Sequence, residues 1–361
     1  MSMNRLSPWW VLLVASVLHM ACGEESSTSS QPGDVQDSVG ALSDVLEGDL
    51  PSVADIEYKF HTVLPIPDSG SLADPHVIKV GDTWYLYATH SQTSLEVWYS
   101  DDLAVWTEGP TVWSPTVDWQ TRGDLCGIWA PHVEPVEAGF YLYYTANCRI
   151  GVAHSDSPLG PFEEVFDHPI VGNGFGGIGD GVLADDLLYD WDDMAIDAFL
   201  LQRDNGKPVL YFTALSPLSE LYATPMEDFT TLAGSPQKLL SAEVNSWEGI
   251  IREGAWVFER DGLFTLMYSG NQYDTMDYAM GVATASSPLG PFTRDPRNPL
   301  LKTNAEIQFY APGHHSVAPG AHDDFLIFYH TKVDTERNDS RRVRYGPLWF
   351  DEDGVVQVEQ P

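Results

Sequence analysis

Three acidic residues of this chain stand next to apolar segments, where a carboxyl group would be free to react. Asp74 precedes Pro75 and an apolar run, Asp197 precedes the segment 198–201, and Glu253 precedes the segment 255–258. Carboxyl groups accept and release protons, so three of them in one cavity would suit general acid and base catalysis. Glu248 lies five residues before Glu253 and is a rival to it, ranked lower because Glu253 enters its strand directly.

The segment 71–90 shows how such an acid could be positioned. It contains two apolar runs joined across Gly81-Asp82, which predicts a β-hairpin. Proline cannot donate a hydrogen bond within a sheet, so Pro75 belongs at the first position of its strand. Asp74 would then lie just outside the sheet with its carboxylate free. Most Asp-Pro pairs only form turns, so a catalytic role for Asp74 needs support from the rest of the chain.

The same unit, an apolar run followed by a turn and an aromatic strand, recurs along the chain. Asn205-Gly206 and Asp261-Gly262 suit two-residue hairpin turns. The aromatic strands end about 60 residues apart, at Tyr87, Tyr144, Phe212, Tyr268 and Tyr329. Five copies at this period predict an all-β fold, a five-bladed β-propeller with four-stranded antiparallel blades around a central axis. The alternative is a β-sandwich with coincidental spacing.

An internal repeat indicates the outer strands of the blades. The segment 151–162 resembles the segment 281–292, an offset of 130 residues (281 − 151), or about two blades. In a propeller the first strand of each blade lines the central axis. Asp74, Asp197 and Glu253 enter the first strands of blades one, three and four, and we expect them at equivalent positions that converge at one end of the axis.

The composition narrows the possible partners. The chain has 361 residues and a net charge of −35. Such a charge repels nucleic acid, anionic lipid head groups and polyanionic glycans, and it favours a neutral substrate. The even spread of the repeats predicts a single catalytic domain over residues 59–361, which we expect to be a monomer.

The first 58 residues predict export and a tether. Arg5 precedes an apolar run from Trp9 to Leu18, which is too short to span a bilayer. Residues 1–22 therefore form an export signal, and its ending at Ala21-Cys22 resembles a bacterial lipoprotein signal, with Cys22 as the lipidated residue. Ordinary secretion is the alternative. The acidic, Ser-rich segment 23–58 predicts a disordered tether, so contact with a membrane would be made only through the lipid on Cys22.

The two cysteines that follow Cys22 are candidates for a disulfide. Cys126 and Cys148 would lie opposite each other if the segments 131–137 and 140–144 form a hairpin, which predicts a disulfide in an oxidising compartment. Two buried free thiols are the alternative.

The loop between Gly172 and Met194 is rich in glycine and aspartate, and calcium binding there is conceivable. Its spacing matches no calcium-loop pattern, so a solvated loop is favoured.

The motifs, taken together and in order, resemble those of glycoside hydrolase family 43, five-bladed propeller enzymes that remove arabinose or xylose from plant polysaccharides. The resemblance extends from about residue 60 to the end of the chain. Motifs similar to those of the family occur at residues 73–77, 129–132, 196–199, 253–255, 311–314 and 341–348. Ala198 and Ala255 stand where the family commonly has proline. An Arg-Asp-Pro sequence at 294–296 is similar to a motif of fructan-cleaving propellers, but it follows an outer-strand motif, so a retaining fructosidase is not favoured.

The resemblance implies an exported inverting glycosidase that cleaves α-L-arabinofuranosyl or β-D-xylosyl linkages. Such an enzyme needs one carboxylate that deprotonates water and one protonated carboxyl, ~6.5–9.5 Å away, that protonates the leaving oxygen. Asp74 would be the base and Glu253 the acid, while Asp197 would raise the pKa of Glu253 and orient the sugar. The alternative is a surface glycan-binding propeller that has lost catalysis, which the alanines after Asp197 and Glu253 make conceivable.

Five further residues are candidates for roles around this chemistry. We predict substrate contacts from His76, Trp129, His132 and Arg341, with core packing, strand capping or a surface position as their alternatives. His314 resembles a histidine that often lies beside a structural calcium on the axis in this family, and a buried histidine bonded to water is the alternative. No cofactor is required for the chemistry, and a neutral polysaccharide or oligosaccharide is the expected partner.

Overall fold

The computed structural model describes residues 61–66, 70–121, 126–172, 194–203, 206–215, 218–241, 243, 245–321 and 324–361. The predicted export signal, Cys22, the tether and the acid-rich loop between Gly172 and Met194, except its two end residues, lie outside these ranges. Within the described residues, we find no helix of the length and apolar character needed to cross a bilayer.

The described chain forms β-strands in five antiparallel sheets, each built as a meander. Blade one has strands β2 to β5, blade two β6 to β9, blade three β10 to β13 and blade four β14 to β17. Their bounds are β2 Ala73–Val80, β3 Thr83–Thr89, β4 Leu95–Ser100, β5 Thr107–Trp113, β6 Ile128–Val136, β7 Gly139–Ala146, β8 Arg149–Ser155, β9 Glu163–Glu164, β10 Ala195–Leu201, β11 Val209–Leu215, β12 Ser219–Pro225, β13 Gln237–Lys238, β14 Arg252–Arg260, β15 Leu263–Gly270, β16 Ala279–Ala285 and β17 Thr293–Arg294.

Blade five joins the two ends of the described chain in one sheet. Its inner strands are β18 (Tyr310–Pro319), β19 (Phe325–Lys332) and β20 (Arg341–Phe350). Two short strands pair with β20 on its outer side, β1 (Thr62–Val63) and β21 (Val356–Val358). Thr62 pairs with Tyr345, so a strand from before blade one completes blade five and closes the ring.

The core is divided among the interfaces between blades. Because each sheet is covered on both faces, its inner strands are apolar almost throughout, and all seven residues of β10 and of β11 are buried. Each pair of neighbouring blades encloses its own apolar cluster, as Phe199 and Tyr211 do with Val257 and Leu266 between blades three and four. The five-bladed propeller predicted from the repeats is confirmed, and the sandwich alternative is wrong.

Candidate active site

A cavity of about 160 Å³ opens at one end of the axis and is lined by residues of all five blades. Asp74, Asp197 and Glu253 all line it, together with Trp129, His314 and Arg341. The convergence that we expected from the positions of the three acids in their strands is therefore present. The first strands β2, β6, β10, β14 and β18 bring these side chains together from distant parts of the sequence.

Each first strand contains a β-bulge at the residues that border the pocket. The pairing register shifts after Ala73, Trp129, Ile196 and Glu253, and twice in β18. The bulges contain residues with positive φ, a conformation that side chains other than glycine, asparagine and aspartate seldom adopt. These residues are Asp74 (φ 49°), Ala130 (44°), Asp197 (58°), Gly254 (60°), Ala311 (47°) and His314 (43°).

Backbone N–H groups of four bulges donate hydrogen bonds to side chains of the preceding blade. The backbone N–H of Ala130 donates to Thr89 Oγ1 at 2.9 Å, and that of Asp197 donates to Thr145 Oγ1 at 3.2 Å. The N–H of His314 donates to Ser269 Oγ at 2.8 Å in the same way. For Asp74 the acceptor is a ring nitrogen, His330 Nδ1, at 3.1 Å. Four of the five bulges are therefore fixed from the preceding blade, those of blades one, two, three and five.

The position of Glu253 corrects the expectation that the three acids are equivalent. Asp74 and Asp197 are themselves the residues with positive φ, whereas in blade four that residue is Gly254. Glu253 pairs with Ser269 just before the bulge, as Ala73 pairs with Thr89 in blade one. A Cβ atom on Gly254 would lie 3.3 Å from His314 Cγ, so the bulge position leaves little room for a side chain there. The longer glutamate enters the cavity from one residue earlier.

Asp74 is surrounded by groups that favour its ionised form. Thr89 Oγ1 donates to its Oδ2 at 2.7 Å. Its Oδ1 lies 3.3 Å from His314 Nδ1 and 3.4 Å from Arg341 Nη1. Burial alone would raise the pKa of Asp74, but His314 and Arg341 outweigh it and hold the pKa well below its ordinary value.

Glu253 has the opposite environment. Burial is the largest influence and raises its pKa to about 7, and the negative charge of Asp74 acts in the same direction. A hydrogen bond of 2.6 Å from the Tyr278 hydroxyl to Oε1 and the charge of Arg341 oppose this rise. Glu253 therefore retains a proton over much of the range in which Asp74 is ionised.

Asp197 is buried beside both other acids. Burial raises its pKa well above the ordinary value, and the charges of Glu253 and then Asp74 add to the effect. Its Oδ2 has no hydrogen-bond partner among the described residues, and His314 Nδ1 lies 4.0 Å from it. Asp197 and Glu253 thus share a region in which two negative charges are unfavourable.

The pocket has one apolar side and one polar side. Trp129, Ile196 and Leu215, which pack in one apolar cluster, form the apolar side. Arg341, Tyr273 and Asp339, which contact one another, form the polar side. Trp129 therefore lines the pocket, and its contact with a sugar face stays a prediction. Arg341 also faces the pocket, 11% exposed, rather than standing on the outer surface.

His76 and His132 do not line this pocket, which departs from the predicted substrate contacts. They are 4% and 3% exposed and lie deeper on the axis, with ring centres 4.4 Å apart. His76 Nε2 is bonded to the Val133 carbonyl at 2.9 Å, and His132 Nε2 lies 3.1 Å from Glu134 Oε2. Together with the rings of Phe199 and Trp256 they fill the axis below the acids.

His314, the predicted metal residue, faces the carboxylates instead of a set of metal ligands. Among the described residues, no group of three or more histidine, cysteine, aspartate or glutamate side chains is placed to hold a metal ion. A cavity of about 20 Å³ lies beside His314, and neither ring nitrogen of its neighbour His315 has a hydrogen-bond partner in the described part of the chain. Calcium takes six to eight oxygen ligands, which this lining does not supply directly, so calcium remains a prediction.

Glu248, the rival acid, lies outside the pocket. Its side chain is fully buried, and it accepts from Tyr268 at 2.6 Å and from Arg294 Nη2 at 2.7 Å. Arg252 Nη1 lies 3.6 Å away. The structure thus places Glu248 and the Arg294 of the Arg-Asp-Pro sequence in one buried ion-pair network between strands.

Cys126 and Cys148 form a disulfide with Cα atoms 5.3 Å apart. Ile128 pairs with Ala146 in the adjoining hairpin, so the cysteines lie opposite each other as the hairpin register predicts. The disulfide packs against Met194, Ile196 and Leu215, next to Trp129. The disulfide therefore packs against residues that form the apolar side of the pocket.

Several residues of the site were not predicted from the sequence. Thr89, His330 and Tyr278 contact the acids, and Tyr273 and Asp339 line the pocket. His330 stands directly after an aromatic strand, where blades one to three continue with alanine or threonine, and this difference is a signal that could have been noticed. Tyr273 and Asp339 lie in loops, where the repeat pattern gives no information.

Comparison with known proteins identifies related enzymes. The chain is similar to a β-D-galactofuranosidase of Aspergillus niger, with 29% identity over 307 residues that cover 80% of this chain and 82% of that protein. It is 25% identical over 334 residues to an extracellular endo-α-(1→5)-L-arabinanase of Thermotoga petrophila, with 78% and 69% covered.

Solved structures show the same fold. A thermostable family-43 glycoside hydrolase superimposes with a TM-score of 0.70 and 26% identity, covering 83% of this chain and 96% of that one. An endo-1,4-β-xylanase from Bacteroides thetaiotaomicron gives 0.69 and 27%, covering 81% and 95%. The sequence profile described as glycosyl hydrolases family 43 matches residues 65–356, and the chain therefore belongs to glycoside hydrolase family 43.

Proposed function

We propose that this chain is an inverting glycosidase that uses Asp74 as general base and Glu253 as general acid. The observation that carries the proposal is that Asp74 and Glu253 line one pocket in opposite surroundings, Asp74 beside His314 and Arg341 and Glu253 buried beside Tyr278. The pKa of Asp74 is accordingly lowered, because His314 and Arg341 outweigh its burial, and the pKa of Glu253 is raised to about 7 by burial. One carboxylate and one carboxylic acid are the pair that hydrolysis with inversion requires.

The reaction would proceed by a single displacement. Asp74 takes a proton from a water molecule, whose oxygen forms a bond to the anomeric carbon. The bond between that carbon and the glycosidic oxygen breaks, and Glu253 gives its proton to the leaving oxygen. Asp74 ends protonated and Glu253 ionised, and exchange with water resets both. Asp197, which lies beside both other acids, would bind the sugar.

For the substrate we propose α-L-arabinofuranosyl or β-D-xylosyl linkages. The small pocket, of about 160 Å³, with an apolar side at Trp129 and a polar side at Arg341, suits a neutral sugar that presents one CH-rich face. The similarity to an endo-arabinanase and to a β-D-galactofuranosidase supports a furanoside and makes galactofuranose a sugar to include in any screen.

The test is hydrolysis of aryl arabinofuranoside, aryl xyloside and aryl galactofuranoside by the purified protein. We expect release of the aryl group from at least one of them, and the anomeric proton signal of the first-formed sugar should show inverted configuration. Asp74→Asn is the control for a contaminating activity. Retention of configuration, or equal activity of the control, would contradict the proposal.

A glycan-binding propeller without catalysis is the competing function, and it rests on Ala198 and Ala255. Both are buried in first strands, directly after the bulge residues Asp197 and Gly254. The carboxyl groups and their partners Thr89 and Tyr278 are in place, which favours the enzyme. Binding of arabinan or arabinoxylan without release of sugar would favour the competing function.

We also propose that the protein is exported and acts as a monomer, anchored through a lipid on Cys22 or secreted. The basis for export and for the anchor is the sequence of the first 58 residues. Expression of the full chain and of Cys22→Ala in a bacterium, followed by membrane fractionation, tests it. Loss of the membrane-bound fraction in the variant would support a lipid anchor, and an equal distribution would oppose it.

A further inference from the structure

Arg341 reaches the pocket with few polar contacts to hold its side chain. Its Nη1 lies 3.4 Å from Asp74 Oδ1, and its Nε is buried without a hydrogen-bond partner among the described residues. The centre of its guanidinium group lies 4.5 Å from the centre of the Tyr273 ring. A guanidinium group over an aromatic face is attracted to it, so this ring is the main support of the Arg341 side chain.

Tyr273 is itself fixed from the neighbouring blade. It lies in the loop 271–278 of blade four, and its hydroxyl donates to Asp339 Oδ1, in the loop 333–340 of blade five, at 2.8 Å. The same two loops are joined a second time where Arg337 Nε donates to Asp274 Oδ2 at 2.6 Å. We call these two loops the loop wall. Tyr273 and Asp339 are its members that line the pocket.

The position of Arg341 affects the base directly. In the described part of the chain, the titratable groups that face Asp74 come from several strands and one loop, and Arg341 is the one guanidinium group among them. They are His314, His330, Arg341, Asp197, Glu253 and Tyr278. A displaced Arg341 would leave Asp74 with histidines that are cationic only when protonated.

We propose that Tyr273 is a positioning residue that holds Arg341 against Asp74 and the bound sugar, an inference that rests on the function proposed above. Tyr273 acts through its ring, and the bond from its hydroxyl to Asp339 is a separate contact that joins the two loops. The Tyr273 ring would therefore set how well the enzyme recognises its sugar, although Tyr273 takes no part in proton transfer.

The experiment compares Tyr273→Leu, which removes the ring, with Tyr273→Phe, which removes only the hydroxyl. We expect Tyr273→Leu to raise KM about 3- to 30-fold, the range of a cation–aromatic contact, and to move the acid limb of kcat/KM to higher pH. Tyr273→Phe should keep the acid limb of the wild type. Arg337→Ala is the matched control, because it opens the loop wall at Asp274 without touching Arg341, and both KM and the acid limb should stay unchanged.

A second readout does not depend on turnover. The lowered pKa of Asp74 stabilises the fold above its ordinary titration near pH 4, and this contribution is lost as the pH falls. In Tyr273→Leu the loss should end at higher pH and be smaller in total, because the folded-state pKa of Asp74 is less depressed, and in the Asp74→Asn background the two curves of unfolding midpoint against pH should have the same shape. An unchanged curve in Tyr273→Leu, a difference that persists without Asp74, or an equal shift in Arg337→Ala would overturn the inference. If the wild type hydrolyses no substrate, the proposed function fails while these curves still test Tyr273.

Discussion

The Tyr278 hydroxyl donates a hydrogen bond of 2.6 Å to Glu253 Oε1 and so opposes the effect of burial on that carboxyl group. Both groups lie in blade four, Glu253 on β14 and Tyr278 just before β16. A hydrogen bond donated to a carboxyl oxygen favours the ionised form. Tyr278 therefore keeps the pKa of Glu253 from rising above about 7, and it sets the upper limit of the pH range in which the acid is protonated.

Replacing Tyr278 by phenylalanine should shift the alkaline limb of the activity profile to higher pH. The variant loses the bond that stabilises ionised Glu253, so the pKa of that residue rises further and the proton is retained longer. The measurement is kcat/KM against pH from 5 to 10 on an aryl glycoside. Tyr268→Phe, which removes a similar bond to Glu248, is the control and should leave the limb in place. A limb that moves to lower pH in Tyr278→Phe would contradict the assignment of Glu253 as the acid.

Replacing Glu253 by glutamine should lower turnover by about 10²–10⁴-fold, the usual contribution of a general acid. The loss should be largest for substrates with poor leaving groups, which need the proton, and smallest for aryl glycosides with acidic phenols. Comparing kcat across phenols of different acidity measures this dependence. Asp74→Asn should lose activity by a similar factor for every leaving group, because water must still be deprotonated. Equal losses across the series in Glu253→Gln would disprove its role.

The same Glu253→Gln variant should be more stable than the wild type above pH 7. The pKa of Glu253 is raised in the folded state, so its contribution to stability is full below about pH 4.5 and is lost as the pH rises through about 7. Glutamine does not ionise, so the variant avoids that loss, a gain of about 1–3 kcal/mol at pH 8. Thermal unfolding between pH 4 and pH 9 measures it, with exposed Glu108→Gln as control. A gain of the same size at pH 4 would show that another cause is at work.

Removing the disulfide should weaken both the fold and the pocket. Cys126 and Cys148 enclose a loop with a sequence separation of 22, and such links contribute about 2–4 kcal/mol. The double variant Cys126→Ala/Cys148→Ala should therefore unfold at lower temperature. It should also show a higher KM with a smaller change in kcat, because the disulfide packs against Ile196 and Leu215 of the apolar side. An unchanged KM would mean that the pocket wall does not depend on this link.

Much of the fold could be predicted from the sequence because each blade corresponds to one internal repeat. Apolar runs, hairpin turns and the spacing of the aromatic strands indicate five blades, and the order of the acids indicates that they meet on the axis. The register of Glu253 could not be predicted, since a bulge depends on how two strands pair and Gly254 alone does not reveal it. His76 and His132 looked like site residues because they follow Asp74 and Trp129 closely, yet the alternation of the strand turns them toward the buried axis.

The contacts that tune the acids were beyond sequence reasoning for a different reason. Thr89 and His330 act on Asp74 from second strands, and Tyr278 acts on Glu253 from the residue before a third strand. Their spacing from the acids in sequence varies from 15 residues for Thr89 to 256 for His330. No local pattern connects such residues, and only the closed arrangement of blades brings them together.

The non-covalent closure of blade five has a consequence for how this enzyme would lose function on heating. Thr62 and Val63 complete the sheet that also carries His330 and Arg341, two of the residues that contact Asp74. Fraying of that short strand would expose the edge of the sheet that carries these contacts to Asp74, the proposed base. Inactivation should therefore begin where β1 pairs with β20 and should precede global unfolding. A crosslink between Thr62 and Tyr345 would delay it.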